Sequence, residues 1–137
     1  GFMATSGITK GADYISTAVA VAPVTNWRYY DNIYTERFMR TPQENPSGYD
    51  DNSPINFVEK LKGNYLLCHG SGDDNVPFQN AMELIQALVS EGKQFDLMVY
   101  PNKNHSIYGQ YEEGGVEVRM HLFEKINNFL FENLLEN

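Results

Sequence analysis

Three short apolar runs limit what this chain can fold into: "STAVAVAPV" at 16–24, "NYLLCHG" at 64–70 and "FDLMVYP" at 95–101. Each is continuous rather than alternating and is closed by a turn residue, the pattern of a strand buried on both faces. Segments with helical spacing separate them. Strands that alternate with helices imply right-handed crossovers and a parallel sheet with helices on both faces. The predicted order is helix, strand, helices, strand, helix, strand, helix.

The helical segments carry their own punctuation. "GFMATSGITKG" has small and apolar residues at helical spacing and stops at Gly11. In "NWRYYDNIYTERFMR", Tyr30, Tyr34 and Arg37 fall on one face of a helix. "TPQENPSGYDDNSP" reads as a surface loop, after which Ser53-Pro54 opens a short helix ending near Gly63. Phe78, Met82, Ile85 and Val89 mark one face of an amphipathic helix, with Pro77 in its first turn and Gly92 at its end. Val116, Met120, Phe123, Ile126, Leu130 and Leu134 trace a final one.

The 137 residues suffice for one modest domain, and 42% hydrophobic with 20% charged residues describes a globular chain. A net charge of −8 argues against nucleic acid and anionic membranes as partners, since both call for basic patches. No apolar run reaches the length of a transmembrane helix. The single cysteine, Cys68, can form neither an internal disulfide nor a cysteine-based zinc site, and reads as a buried core thiol. The opening "GFMATSGITKGAD" has no initiator methionine and no signal-peptide pattern, so it reads like the inside of a longer protein. Three strands alone leave the first with an unpaired edge. That suggests the C-terminal piece of a larger sheet, although a swapped or oligomeric arrangement also satisfies the edge.

In open α/β sheets, function gathers beyond the carboxyl ends of the strands. Asp73 follows the second apolar run in "GSGDDNVPF", and His105 follows the third in "NKNHS". Neighbouring parallel strands lie about 4.8 Å apart, so these loops can bring the two side chains together. A carboxylate beside an imidazole fixes its tautomer and stabilises the imidazolium formed when the base takes a proton. A lone Asp and a lone His in loops are more often solvated or capping residues. Asp74 also fits a helix start, and His69 and His121 read as structural. The three histidines lack a metal-ligand spacing, and neither a cofactor nor a metal is implied. Trp27, Tyr29, Tyr30 and Tyr34 fit a core equally well, but tyrosine hydroxyls and Arg37 sit awkwardly in a dry one. An aromatic-walled pocket with a few polar heads is the alternative.

Together "AVAPVTNWRYYDNIYTERFM", "TPQENPSGY", "LLCHGSGDDNVPFQN" and "FDLMVYPNKNH" resemble the catalytic domain of the dipeptidyl peptidase IV group in the prolyl oligopeptidase family. The likeness spans essentially the whole chain, and the combination of YYDxxYTER with HGxxDDNV is its specific part. It implies the C-terminal portion of an α/β-hydrolase fold. The family carries a Gly-Trp-Ser-Tyr-Gly-Gly-[Phe/Tyr]-Met elbow, and Gly1-Phe2-Met3 looks like its tail, which puts the nucleophilic serine roughly three residues upstream of Gly1. Ser6 lies about two helical turns past that point and is rejected as a substitute.

Carried over by position, the resemblance makes Asp73 the triad acid and His105 the general base. It makes Val24, Trp27, Tyr30, Tyr34 and Val76 the walls of a pocket for proline or alanine, with Asn75 and Arg37 as polar groups near it. Ser106 departs from the family, which usually has glycine after the histidine. The implied reaction releases N-terminal dipeptides after a penultimate Pro or Ala, through an acyl-serine intermediate. The partners implied are that peptide and the upstream part of the parent chain, which brings the nucleophile and a β-propeller; alone, the segment should be inactive. An acylaminoacyl peptidase or esterase with the same acid and base, or a non-catalytic binding homologue, stays open. So do two roles for the last helix, a homodimer contact or packing on the sheet.

Overall fold

The computed structural model describes residues 1–111 and 115–134. Helix α1 (Phe2–Lys10) leads to strand β1 (Thr17–Val21). A 3₁₀ turn at Trp27–Tyr29, helix α2 (Asn32–Met39), helix α3 (Pro46–Asp50) and a 3₁₀ helix at Pro54–Lys60 follow. Strand β2 (Asn64–Gly70), helix α4 (Gln79–Ser90), strand β3 (Asp96–Tyr100) and helix α5 (Val118–Leu134) complete the order. The three strands form one parallel sheet in the order β1-β2-β3, with Val19 beside Leu66 and Cys68 beside Met98. The anticipated α/β architecture is therefore the one observed.

Strand β2 lies in the middle, and its residues 65–70 are all buried. Side chains alternate across a strand, so the two faces can be read from parity. Tyr65 and Leu67 join Ile8, Ala20, Val58, Leu61, Ala81, Leu84 and Leu88 in one core, under α1, the 54–60 helix and α4. Leu66 and Cys68 join Tyr100, Ile107, Val118, Leu122 and Phe129 in the other, under α5. Burying each such leucine contributes about 1.5–3 kcal/mol. Cys68 is fully buried, and desolvation pushes its thiol up to about 12, as expected of an inert core thiol.

Several details differ from the sequence reading. The stretch 41–54, expected as a surface loop, holds helix α3 with Tyr49 buried, and of the three strands only β2 is buried from its second residue to its last. The stretch 26–40 is two elements rather than one helix. Asp31 caps α2 by accepting the Ile33 N–H at 2.8 Å, and Tyr30 stands in extended backbone before it. In α4 the buried line is Ala81, Leu84 and Leu88, whereas Met82 and Val89 are exposed. In α5 the inward residues are Val118, Leu122 and Phe129, with Ile126 and Leu130 packed beside them; Met120, Phe123 and Leu134 face outward, and Val116 precedes the helix and is exposed. Both helices carry more apolar residues than one stripe needs, so periodicity alone does not choose the phase. Gly92 does end α4: at φ +66° it lets its N–H reach the Val89 carbonyl and the Lys93 N–H reach Leu88, a Schellman closure.

Candidate active site

Asp73 lies three residues beyond β2, and its carboxylate is wholly buried. One oxygen, Oδ1, accepts the backbone N–H groups of Asn75 at 3.0 Å and Val76 at 2.8 Å. This is an Asx-type turn, in which the side chain orders the loop that carries it. The other oxygen, Oδ2, lies 2.8 Å from Nδ1 of His105. A carboxylate can only accept, so Nδ1 carries the proton and donates it, which leaves Nε2 as the basic nitrogen. The His105 side chain is 41% exposed, so that nitrogen has access to a reacting group.

The loops after β2 and β3 are stitched together by backbone. The Ser71 N–H donates to the Tyr100 carbonyl at 3.0 Å and the Gly72 N–H to the Lys103 carbonyl at 3.0 Å. In return the Asn102 N–H donates to Ser71 Oγ at 2.8 Å. Such an approach leaves no room for side chains. A Cβ on Gly70 would collide with the carbonyl oxygens of Lys103 and Asn104, and one on Gly72 would press on the backbone of Asn102. Asn102 takes a left-handed φ of +57°, which asparagine tolerates. Ile107 does so at +46° while fully buried, an unusual conformation for a β-branched residue and a cost that its core packing must offset. Ser106, the departure from the family pattern, is not among the positive-φ residues, and its N–H bonds Asn104 Oδ1 at 3.2 Å. This backbone therefore places no demand for glycine after His105.

The aromatic residues form a contiguous wall. Trp27 meets Tyr30 edge-on at 5.6 Å and Tyr34 at 6.3 Å, and Tyr30 meets Tyr34 edge-on at 5.7 Å. Tyr30 and Tyr34 thus touch as anticipated, although only Tyr34 is helical. Val24 and Val76 are buried. The wall joins the acid loop through Tyr30, whose hydroxyl donates to Asn75 Oδ1 at 2.8 Å. Arg37 stands apart from this bond on exposed α2, its guanidinium 5.9 Å from the Phe38 ring. The wall is an open shelf, with Tyr34 51% exposed. A recess of about 280 Å³ lies instead against β3 and the start of α5, and its lining includes neither Asp73 nor His105.

Four further residues belong to this neighbourhood. Phe2 extends the wall, 5.4 Å from Trp27, and Phe38 lies 5.1 Å from Tyr34. Asn80 is fully buried and ties the wall to the acid loop. Its Oδ1 accepts the Thr25 N–H at 3.0 Å, and its Nδ2 donates to the carbonyls of Tyr29 at 3.0 Å and Pro77 at 3.1 Å. His69, also fully buried, places Nε2 3.0 Å from the Val76 carbonyl and 3.3 Å from Asp73 Oδ2. The one sequence signal for Asn80 and His69 is a polar residue at a position whose neighbours are buried.

The arrangement sets a hydrogen-bonded carboxylate and imidazole beside a ring-lined shelf. Over residues 1–136 the chain matches the family model described as the prolyl oligopeptidase family. Among curated proteins it is 43% identical over 134 residues to a probable dipeptidyl-aminopeptidase B of Sclerotinia sclerotiorum, covering 95% of this chain and 14% of that protein. It is 53% identical over 96 residues to a probable dipeptidyl-aminopeptidase B of Colletotrichum graminicola, covering 68% of this chain and 10% of that protein. The crystal structure of Porphyromonas gingivalis dipeptidyl peptidase 4 superposes with a TM-score of 0.89 at 44% identity, over 97% of this chain and 18% of that one. The fold is that of part of an α/β hydrolase. The chain belongs to the prolyl oligopeptidase family, and it spans less than a fifth of the length of these relatives.

Proposed function

We propose that this chain is the C-terminal portion of the catalytic domain of a serine exopeptidase, which releases N-terminal dipeptides after a penultimate proline or alanine. The observation that carries the reading is the 2.8 Å contact between Asp73 Oδ2 and His105 Nδ1, made by a carboxylate already fixed by two backbone N–H groups. Family membership and relatives named for dipeptidyl peptidase activity support it. The nucleophilic serine comes from the upstream part of the parent. His105 Nε2 takes its proton as it attacks the peptide carbonyl, while Asp73 stabilises the imidazolium. His105 then gives that proton to the leaving amine, and in the second half-reaction takes one from the water that attacks the acyl-serine and returns it to the serine oxygen as the C–O bond breaks. Val24, Trp27, Tyr30, Tyr34 and Val76 enclose the flat, apolar proline ring, with Asn75 and Arg37 as polar groups at its margin.

Two measurements test the reading. The full-length parent should cleave Gly-Pro anilides in preference to acyl-amino-acid anilides, and a fluorophosphonate probe should label one serine in it. The 137-residue chain alone should take no label. Preference for acyl-amino-acid anilides would move the assignment to an acylaminoacyl peptidase or esterase. Labelling of a serine within the isolated chain would overturn the placement of the nucleophile.

A further inference from the structure

Asn80 is the second residue of α4, and its side chain is fully buried against two stretches of chain that carry the wall. Its Oδ1 accepts the Thr25 N–H at 3.0 Å, and its Nδ2 donates to the carbonyls of Tyr29 at 3.0 Å and Pro77 at 3.1 Å. A carboxamide has two N–H donors and an acceptor oxygen, so these partners fix which end is which. The Asn80 main chain adds another tie in the same place, where its carbonyl accepts the Thr25 hydroxyl at 2.7 Å. Thr25 is itself fully buried, and its own carbonyl accepts the Ser53 hydroxyl at 2.7 Å. A buried network with matched donors and acceptors holds one geometry, because a shift strands a polar group away from water.

Each of the three main-chain groups that the carboxamide binds is the chain neighbour of a wall residue. Thr25 follows Val24, Tyr29 precedes Tyr30, and Pro77 follows Val76. Val24 and Val76 are buried, and Tyr30 meets Trp27 and Tyr34 edge-on. The bond from the Tyr30 hydroxyl to Asn75 Oδ1 joins the same two stretches again, but in an exposed position where water competes for both groups. Val76 thus lies between two tied points, Asn75 and Pro77, and the buried tie is the one that Asn80 makes.

Resting on the serine-peptidase reading above, we propose that Asn80 is a positioning residue that sets the preference for proline: through Thr25, Tyr29 and Pro77 its carboxamide fixes the spacing of Val24, Tyr30 and Val76, the walls that enclose the ring. It acts through these neighbours, and its side-chain bonds go to neither Asp73 nor His105. A proline ring contacts more of the wall than an alanine methyl does. Loosened spacing therefore takes from proline contacts that alanine never makes.

The test uses the full-length parent, with rates expressed per serine titrated by a fluorophosphonate, so that misfolded protein does not count. Asn80→Ala removes all three side-chain bonds. kcat/KM for a Gly-Pro anilide should fall about tenfold, through KM, and that for a Gly-Ala anilide about twofold, so the ratio of the two drops about fivefold. Leu88→Ala, further along α4 in the core, is the control: it lowers the denaturant midpoint and leaves the ratio in place. Asn80→Ser keeps a hydroxyl for one of the three groups; it should show a smaller fall, and it decides the matter if the alanine variant does not fold. A ratio unchanged in the folded Asn80 variants, a loss confined to kcat, or an equal fall in Leu88→Ala would overturn the proposal. A wild-type parent that cleaves neither anilide would instead remove the reading on which it rests.

Discussion

The acid–base loops and the aromatic wall lie side by side but are held by different means. Asp73 and His105 are carried on backbone that bonds to backbone, with glycines where the two loops touch. The wall is built of ring against ring, and side-chain bonds tie it to the acid loop: the Tyr30 hydroxyl to Asn75, and the Asn80 amide to the carbonyls of Tyr29 and Pro77. A reaction that transfers a proton needs its partners fixed to a fraction of an ångström. A shelf that receives a ring through apolar contact can tolerate more latitude, because dispersion and hydrophobic burial are not directional. The contrast predicts that substitutions in the loops act on kcat and that substitutions in the wall act on KM.

The sharpest way to break that contrast is Asp73→Asn in the full-length parent. The amide can present an N–H where the carboxylate accepted one, and so turns the His105 ring to the wrong tautomer. The expected loss in kcat is about 10⁴-fold with KM little changed. Steady-state kinetics on a Gly-Pro anilide decide it, and a loss confined to KM would deny Asp73 its place beside the base. Next comes Gly70→Ala. The added methyl meets two carbonyl oxygens of the facing loop, at a cost of about 1–3 kcal/mol. Denaturant midpoints and kcat should fall together; a fall in stability with kcat intact would mean that the stitch is not what holds the pair. Tyr30→Phe is the mildest. It removes one hydrogen bond worth about 1 kcal/mol, or roughly fivefold in kcat/KM, and the change should appear in KM. A matching drop in kcat would show that the wall reaches into the chemistry.

How much of this could be read from the residues divides along the same line. The three strands, their alternation with helices and the reach that lets Asp73 meet His105 follow from apolar runs and from the spacing of parallel neighbours, both backbone properties. The phases of α4 and α5 did not follow. Met82, Val89, Met120 and Phe123 are as apolar as the residues actually buried, and only the neighbouring elements choose between them. The break before α2 was legible in principle, since Asp31 is a good capping residue; the regular spacing of the tyrosines masked it. His69 reads as structural from the sequence, but its partner did not follow and Asn80 stayed hidden, because a polar residue within a buried run gives no sign of which partner satisfies it.

The close seating of Gly70 and Gly72 against residues 102–104 acts as a rivet through both loops. One residue inserted into either loop would displace its functional group by a chain step of about 3.3–3.6 Å, more than any hydrogen bond can span. Such a change could be absorbed only if the opposite loop lengthened in register. Within this frame, variation in loop length at the two strand ends should arrive in pairs or not at all.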